Sequence, residues 1–392
     1  MNYADVQRLK ASIASAVDEN CSNLRQISLD IHANPELGFK EFKAAARLTE
    51  FLEQNEFFIE RNYCQLPTAF RASYGRGEPR IAFLAEYDAL PELDHACGHN
   101  IIAACAVGAG VAAKMAVDYC GGTVLVIGTP AEEVFGGKIK MLEQGAFKDL
   151  STAMLVHPGQ YNSAVFYTFA AQGLDVEFFG RAAHAAAAPE DGVNALEAMI
   201  LSFVNINSLR QHVYDNSRIH GIITNGGEMV NVVPSYTSAS LLVRSRLDIY
   251  LDELKQKVLD CFLGAAKASG ARLEYKWADI RYATMRNNST LTELFSQNMQ
   301  SLGRDVISPR PDRLQGSTDM GNVSHLIPSI HAIIDIASDR SFHTPEFALA
   351  ARSEEGNRSI IDGAKALAMT FVDLVTDDTN LSKVRYEFQK DS

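Results

Sequence analysis

The stretch IAFLAEYDALPELDHACGHNIIAACAVGAGVAAKMAVDYCGGTVLVI, residues 81–127, decides the fold. Its ends, Ile81–Ala85 and Thr123–Ile127, are short unbroken apolar runs, the pattern of strands buried on both faces of a sheet. Between them, Ile101–Val117 is rich in alanine and glycine and reads as a buried helix. A helix joining two such strands makes them a parallel pair. The apolar helix carries Lys114 and is barely long enough to span a bilayer, so a core position is expected.

Outward from this stretch the alternation continues. Ala153–Val156 is a third buried run, about Gly137–Gln144 reads as a helix, and His331–Ile336 fits a further strand of the same sheet. On the N-terminal side, Val6–Asn55 reads as two helices broken near His32-Ala33-Asn34-Pro35, with Phe42, Ala45, Leu48 and Leu52 at helical spacing in the second. The middle of the chain differs. Leu174–Phe179 alternates like a strand, Asn194–Leu209 reads as a helix, His220–Thr224 and Thr237–Val243 as strands, Leu251–Ala268 as a helix and Arg272–Trp277 as a strand. That β-α-β-β-α-β order is the split ferredoxin-like pattern. The prediction is an α/β domain built from residues 1–169 and 283–392, interrupted by an inserted α+β domain at 170–282.

With 392 residues, two domains are the natural expectation. The 36 basic and 48 acidic residues leave a net charge of −12, which argues against nucleic acid or a membrane surface as partner. Met1–Lys10 is polar and mixed in charge and lacks the apolar core of a secretion signal. Cys21, Cys64, Cys97, Cys105, Cys120 and Cys261 are scattered without a C-x-x-C pair. Reduced thiols and a cytoplasmic location are therefore expected.

The candidate chemistry lies where the strands end. Asp88 follows the run ending at Ala85, Glu132 and Glu133 follow the run ending at Ile127, His157 directly follows Val156, and His343 lies beyond the run ending near Ile336. In open α/β sheets, sites form in the crevice beyond the carboxyl ends of the strands. Cys97 and His99 flank Gly98, so both can face one cation, and a thiolate can bridge two. Taken singly, each residue reads as a small buried cysteine or a hydrogen-bonded histidine; together with the strand-end carboxylates and histidines they read as a metal site. Glu132 and Glu133 are adjacent and should act differently, one binding metal while the other serves a water made acidic by the metal. The pair follows Pro130 and equally fits the first turn of a helix.

These residues resemble the aminoacylase and glutamate-carboxypeptidase family of two-metal exopeptidases. The likeness is greatest to its amidohydrolase branch, which contains indole-acetyl-amino-acid hydrolases, p-aminobenzoyl-glutamate hydrolase and related dipeptidases. The resemblance spans nearly the whole chain: HANPELG at His32, AEYDALP at Ala85, HACGHN at His95, GTPAEE at Gly128, HAAAAP at His184, GSTDMGNVS at Gly316 and FHTPEF at Phe342. It implies a mixed, mostly parallel sheet sandwiched by helices, with the inserted ferredoxin-like domain as a lid and dimerisation surface. It implies two divalent ions, with Cys97 bridging and His99, Glu133, His157 and His343 completing the shell. Glu132 would be general base and acid, and Asp88 would orient a ligand. His184 would stabilise the oxyanion, usually in the partner subunit's site, while Asn231 and Arg244 would grip a substrate carboxylate. The activity implied is hydrolysis of an amide in a small N-acyl amino acid or dipeptide with a free carboxylate. Zinc or manganese is the expected metal, and cobalt or nickel suits the same ligands.

One departure is visible. Many relatives place a metal-binding histidine two residues before the aspartate matching Asp88, and this chain has Glu86 there. Cys97 and His99 supply the missing ligand, as in the amidohydrolase branch. Asp319 reads as a helix N-cap and His95 as structural. Three other functions compete: a thiol hydrolase using Cys97 and His99, a zinc deaminase, and a non-catalytic binding protein that keeps the fold. A deaminase needs H-x-E and C-x-x-C motifs, neither of which occurs, and the retained Glu132 argues against a binding protein.

Overall fold

The computed structural model describes residues 1–312 and 314–390. Ten strands run through these residues: β1 Phe58–Arg61, β2 Phe70–Arg76, β3 Arg80–Ala85, β4 Gly122–Gly128, β5 Thr152–Gly159, β6 Ala170–Phe179, β7 Arg218–Asn225, β8 Tyr236–Ser245, β9 Arg272–Tyr282 and β10 Ser329–Asp335. The chain divides into two compact units, the first formed by Met1–Tyr167, Met285–Arg313 and Thr318–Ser392, the second by Thr168–Thr284 and Leu314–Ser317. The segment 314–317, placed by sequence in the α/β domain, thus belongs to the inserted unit.

In the first unit the sheet runs β1-β2-β4-β3-β5-β10. Neighbours among β4, β3, β5 and β10 are parallel, while β2 is antiparallel to β4 and β1 to β2. The strands β4, β3, β5 and β10 are buried on both faces, and their side chains alternate between two cores. Phe83, Val124, Val126, Met154, Val156 and Ile334 face one core, which includes the helix His99–Cys120 and, packed on it, Glu354–Thr376. Ala82, Leu84, Leu125, Ile127, Ala153 and Leu155 face the other, with Met141, Phe147, Met320 and Val323. The helix His99–Cys120 is long and apolar enough to cross a membrane and is instead mostly buried within the unit.

Three details differ from the sequence expectation. The opening stretch forms three helices, Tyr3–Glu19, Cys21–Ala33 and Phe42–Gln54, because the chain also breaks at Asn20, which caps the first helix. His157 lies within β5 rather than after it, the ladder with β10 carrying that strand three residues beyond Val156. β1 and β2 have no sequence counterpart: β1 is short and mostly exposed, and β2 loses its burial toward Arg76.

The second unit is an antiparallel sheet in the order β7-β8-β6-β9. Helices Ala195–Leu209 and Asp248–Ser269 pack on it, with Leu174, Val176, Phe178, Leu241, Val243, Leu254 and Phe262 in one core. Strand order and connections are those of the split β-α-β-β-α-β unit. β7 is an edge strand and largely exposed.

Candidate metal centre

Because β4, β3, β5 and β10 run parallel, their carboxyl ends share one edge of the sheet, and the chain delivers its polar residues there. Glu86 and Asp88 follow β3, and the turn Thr129-Pro130-Ala131 after β4 leads into a short helix, Glu132–Phe135. The glutamate pair thus forms the first turn of a helix that starts at the carboxyl edge of the sheet. Cys97 and His99 flank Gly98 at the start of the helix His99–Cys120. Gly98 has φ 78, and a β-carbon there would lie 2.6 Å from Pro158 Cγ, so only glycine lets both neighbours face the same space. His343 is joined to this loop by its N–H, which donates to Ala96 O at 3.0 Å.

The donor atoms converge. One atom each of Cys97, His99 and His157 lie within 4.8 Å of one another, as do atoms of Cys97, Glu133 and His343, and of His99, Glu132 and Glu133. His157 Nδ1 sits 2.7 Å from Pro158 O, which fixes the proton there and turns the Nε2 lone pair toward Cys97 Sγ, 3.5 Å away. Burial lowers the His157 pKa to about 4, so it is a neutral, ligand-ready imidazole. His99 Nδ1 bonds Asp88 Oδ1 at 3.0 Å, and Asp88 Oδ2 accepts the Glu133 N–H at 3.0 Å. One carboxylate thus orients two candidate ligands, as outer partners of metal ligands do. Burial raises Glu133, but His343 and His99 outweigh it and bring the carboxyl to about 2.

His99 Nε2 and Glu133 Oε1 are buried without a hydrogen-bond partner. Such atoms are rare in native proteins, and divalent cations satisfy both. Burial and the Glu133 charge push the Cys97 thiol well up, whereas an adjoining cation stabilises the thiolate. The residues therefore fit two divalent ions, with Cys97 common to two of the clusters.

Behind the cluster lies a group of charges with no solvent contact. Lys138 Nζ stands 2.6 Å from Glu86 Oε1 and 2.6 Å from Asp319 Oδ1, all with side chains fully buried. Asp319 Oδ2 accepts the Lys138 N–H at 2.9 Å. Asp319 is at the N-cap position of the short helix Met320–Ser324 but makes no capping bond with it, a correction to the sequence expectation, since its oxygens serve Lys138. Glu86 is held by the ammonium, with its second oxygen 3.7 Å from His99 Nε2. An oxygen of Glu132 lies within 4.8 Å of oxygens of Glu86 and Asp319. Burial, then Glu86 and Asp319, raise the Glu132 carboxyl well above its usual range.

The peptidase family M20/M25/M40 matches residues 82–371. The chain belongs to this family. It is 38% identical to the Xaa-Arg dipeptidase of Mus musculus over 98% of this chain and 93% of that protein. It is 28% identical to a p-aminobenzoyl-glutamate hydrolase component of Escherichia coli (strain K12), over 98% of this chain and 96% of that one. In fold it is similar to a dinuclear metal binding peptidase of the M20 family from Bacillus subtilis, with a TM-score of 0.72 and 21% identity, covering 92% of this chain and 99% of that one.

The remaining candidates from the sequence, His184, Asn231 and Arg244, lie in the second unit. His184 is exposed, and its Nδ1 accepts the N–H groups of Ala186 and Ala187 at 3.2 and 3.1 Å, which leaves the proton on Nε2 as an outward donor. Asn231 is also exposed, and its carbonyl accepts the Ala185 N–H at 3.0 Å, so His184 and Asn231 share one two-stranded turn. Arg244 is on β8, partly buried, with Nη1 donating to Ser317 Oγ at 3.0 Å and Nε without a partner. His95 is buried in the first unit against Ile31 O at 3.1 Å, outside the candidate clusters. Lys138 escaped the sequence reading, and so did His331, whose ring stacks on His157 at 5.3 Å and on Phe166 at 4.6 Å. The lysine's only signal is its position five residues after Glu133.

Proposed function

We propose that this M20-family protein is a cytoplasmic dinuclear metallo-dipeptidase that prefers dipeptides with a cationic C-terminal residue. The observation that carries the reading is the convergence of Cys97, His99, Glu133, His157 and His343 on shared positions beside Glu132. Support for the substrate class comes from the likeness to the Xaa-Arg dipeptidase and from the net charge of −12, which draws cationic substrates toward the protein.

Two divalent ions, zinc or manganese by the mixed donors, would polarise the scissile carbonyl and acidify a water. Glu132 takes a proton from that water as its oxygen bonds the carbonyl carbon. When the C–N bond breaks, Glu132 returns the proton to the leaving nitrogen. A carboxyl raised by burial and by neighbouring carboxylates suits both transfers, because its pKa moves toward the operating pH. Asp88 holds His99 and the Glu133 backbone in place throughout. We assign the Nε2–H of His184 to the oxyanion, and Asn231 with the guanidinium of Arg244 to the substrate carboxylate.

A homodimer through the second unit completes the proposal. β7 is a sheet edge with Ile222 and Ile223 exposed, and the helix Ala195–Leu209 exposes Ile200 and Val204. Unpaired edge groups next to apolar surface favour pairing with a second copy. A monomeric mass in solution at micromolar concentration would count against it. Cytoplasmic location rests on the six unpaired cysteines and is checked by localising the tagged protein in its own cells.

Metal-reconstituted protein assayed for amine release against Xaa-Arg, Xaa-Lys, Xaa-Glu and Xaa-Ala dipeptides and N-acetyl amino acids tests the function. Chelation should abolish hydrolysis, manganese or zinc should restore it, and the cationic dipeptides should be cleaved fastest. Activity that survives chelation would move the chemistry to Cys97 as a nucleophile. A preference for acyl amino acids would overturn the dipeptide assignment, and no hydrolysis at all would favour a binding protein.

A further inference from the structure

The short helix that presents Glu132 and Glu133 is bracketed by two left-handed residues, Ala131 at φ 62, ψ 47 and Gly136 at φ 55, ψ 53. Glycine adopts that conformation freely. Alanine does not, because its β-carbon crowds the following carbonyl, and strain of this kind persists only where the surroundings enforce it. Ala131 immediately precedes Glu132, so its backbone angles set where the base points.

The enforcing group comes from a distant part of the chain. Glu41, at the start of the helix Phe42–Gln54, is completely buried. Its Oε1 accepts the Ala131 N–H at 2.9 Å, and its Oε2 accepts the Thr68 hydroxyl at 2.8 Å. The Thr68 carbonyl in turn accepts the hydroxyl of Tyr87, the neighbour of Asp88, at 2.6 Å. Gly38 closes on the same turn: a β-carbon there would lie 2.8 Å from the Ala131 β-carbon. The Ala131 carbonyl accepts the Gly137 N–H at 3.0 Å. Burial raises the Glu41 carboxyl to about 7. A carboxyl kept in so dry a position, where leucine would pack at no electrostatic penalty, calls for a specific use of its oxygens.

We infer that Glu41 is a positioning residue for the hydrolytic step: by accepting the Ala131 N–H it holds the left-handed turn that aims Glu132 at the attacking water and Glu133 at the ions. This rests on Glu132 being the base. Glu41 itself touches neither substrate nor metal.

The test is a mutant cycle between Glu41 and Ala131. Glu41→Gln keeps an oxygen for the Ala131 N–H and should hold kcat within about threefold. Glu41→Leu removes the acceptor and should lower kcat by ~10–100-fold, the scale of a small misplacement of reacting groups. KM and the metal content per chain should stay near those of the parent. Ala131→Gly alone should change little. In the double variant Glu41→Leu/Ala131→Gly, glycine takes up the left-handed turn without strain, and kcat should recover roughly fivefold or more over Glu41→Leu. If Glu41 serves only the core, the two substitutions will be additive, and kcat will follow the melting temperature of the metal-free protein; that result overturns the inference. Should Glu41→Leu fail to fold, Thr68→Val frees Glu41 Oε2 in a similar shape, and its smaller loss of kcat should be rescued by Ala131→Gly in the same way. Glu132→Gln is measured alongside. If it stays active, the assignment of the base fails; if it is inactive while Glu41→Leu is fully active or not rescued, the positioning role alone fails.

Discussion

In the first unit, His99 and His157 each commit one ring nitrogen to a fixed partner, Asp88 Oδ1 or Pro158 O. Glu133 is tied through its backbone N–H to the same aspartate, and Gly98 admits the close turn between Cys97 and His99. In the second unit, His184 and Asn231 stand exposed on a turn whose bonds are mostly backbone to backbone, and Arg244 has a single side-chain bond, to Ser317. The candidate ligands His99, His157 and Glu133 are thus oriented by buried partners, whereas His184, assigned to the oxyanion, and Asn231, assigned to the substrate carboxylate, stand exposed, with His184 Nδ1 held by the Ala186 and Ala187 N–H groups. Preorganisation of that kind suits groups that must hold geometry to a fraction of an ångström, and exposure suits groups that a substrate meets as it arrives from solvent.

Three substitutions would break or sharpen this contrast. Glu132→Gln should cause the largest change, a loss of kcat of ~10²–10⁴-fold with KM and metal content retained, measured by steady-state kinetics and elemental analysis. A variant that turns over at the parental rate would remove Glu132 from the chemistry. Asp88→Asn should act through its ligands, weakening metal binding by ~10–100-fold in equilibrium dialysis; unchanged affinity would mean that the bonds to His99 and Glu133 do not orient them. Arg244→Ala should leave metal binding untouched and raise KM by ~10-fold or more for substrates with a free carboxylate. An equal rise for C-terminally amidated substrates would remove the carboxylate from its role.

Much of the fold is written in short-range pattern. The alternation of buried runs with helices between residues 81 and 159, and the β-α-β-β-α-β order of the second unit, follow from hydrophobic spacing alone. Glu133, His157 and His343 are legible as candidates because they lie at or beyond apolar runs that become parallel strands, and Cys97 and His99 because they flank Gly98 before an apolar helix; their separate roles are implied by the family resemblance. What escaped is long-range. Lys138 sits among Ile139, Lys140 and Met141 and looks like any helical lysine, yet its partners Glu86 and Asp319 are 52 and 181 residues away. Glu41 meets Ala131 across 90 residues, and no local pattern marks either as buried. The helix N-cap expected of Asp319 failed for the same reason: a buried ammonium competes better for a carboxylate than a local backbone N–H does.

The number of divalent ions bound per chain tests the central claim most directly. Metal-free protein dialysed against manganese or zinc should take up two ions per chain with recovery of dipeptide hydrolysis, and Cys97→Ala, which removes the donor shared by two of the clusters, should hold fewer than two. Binding of no ions, or hydrolysis at full rate in their absence, would contradict the account.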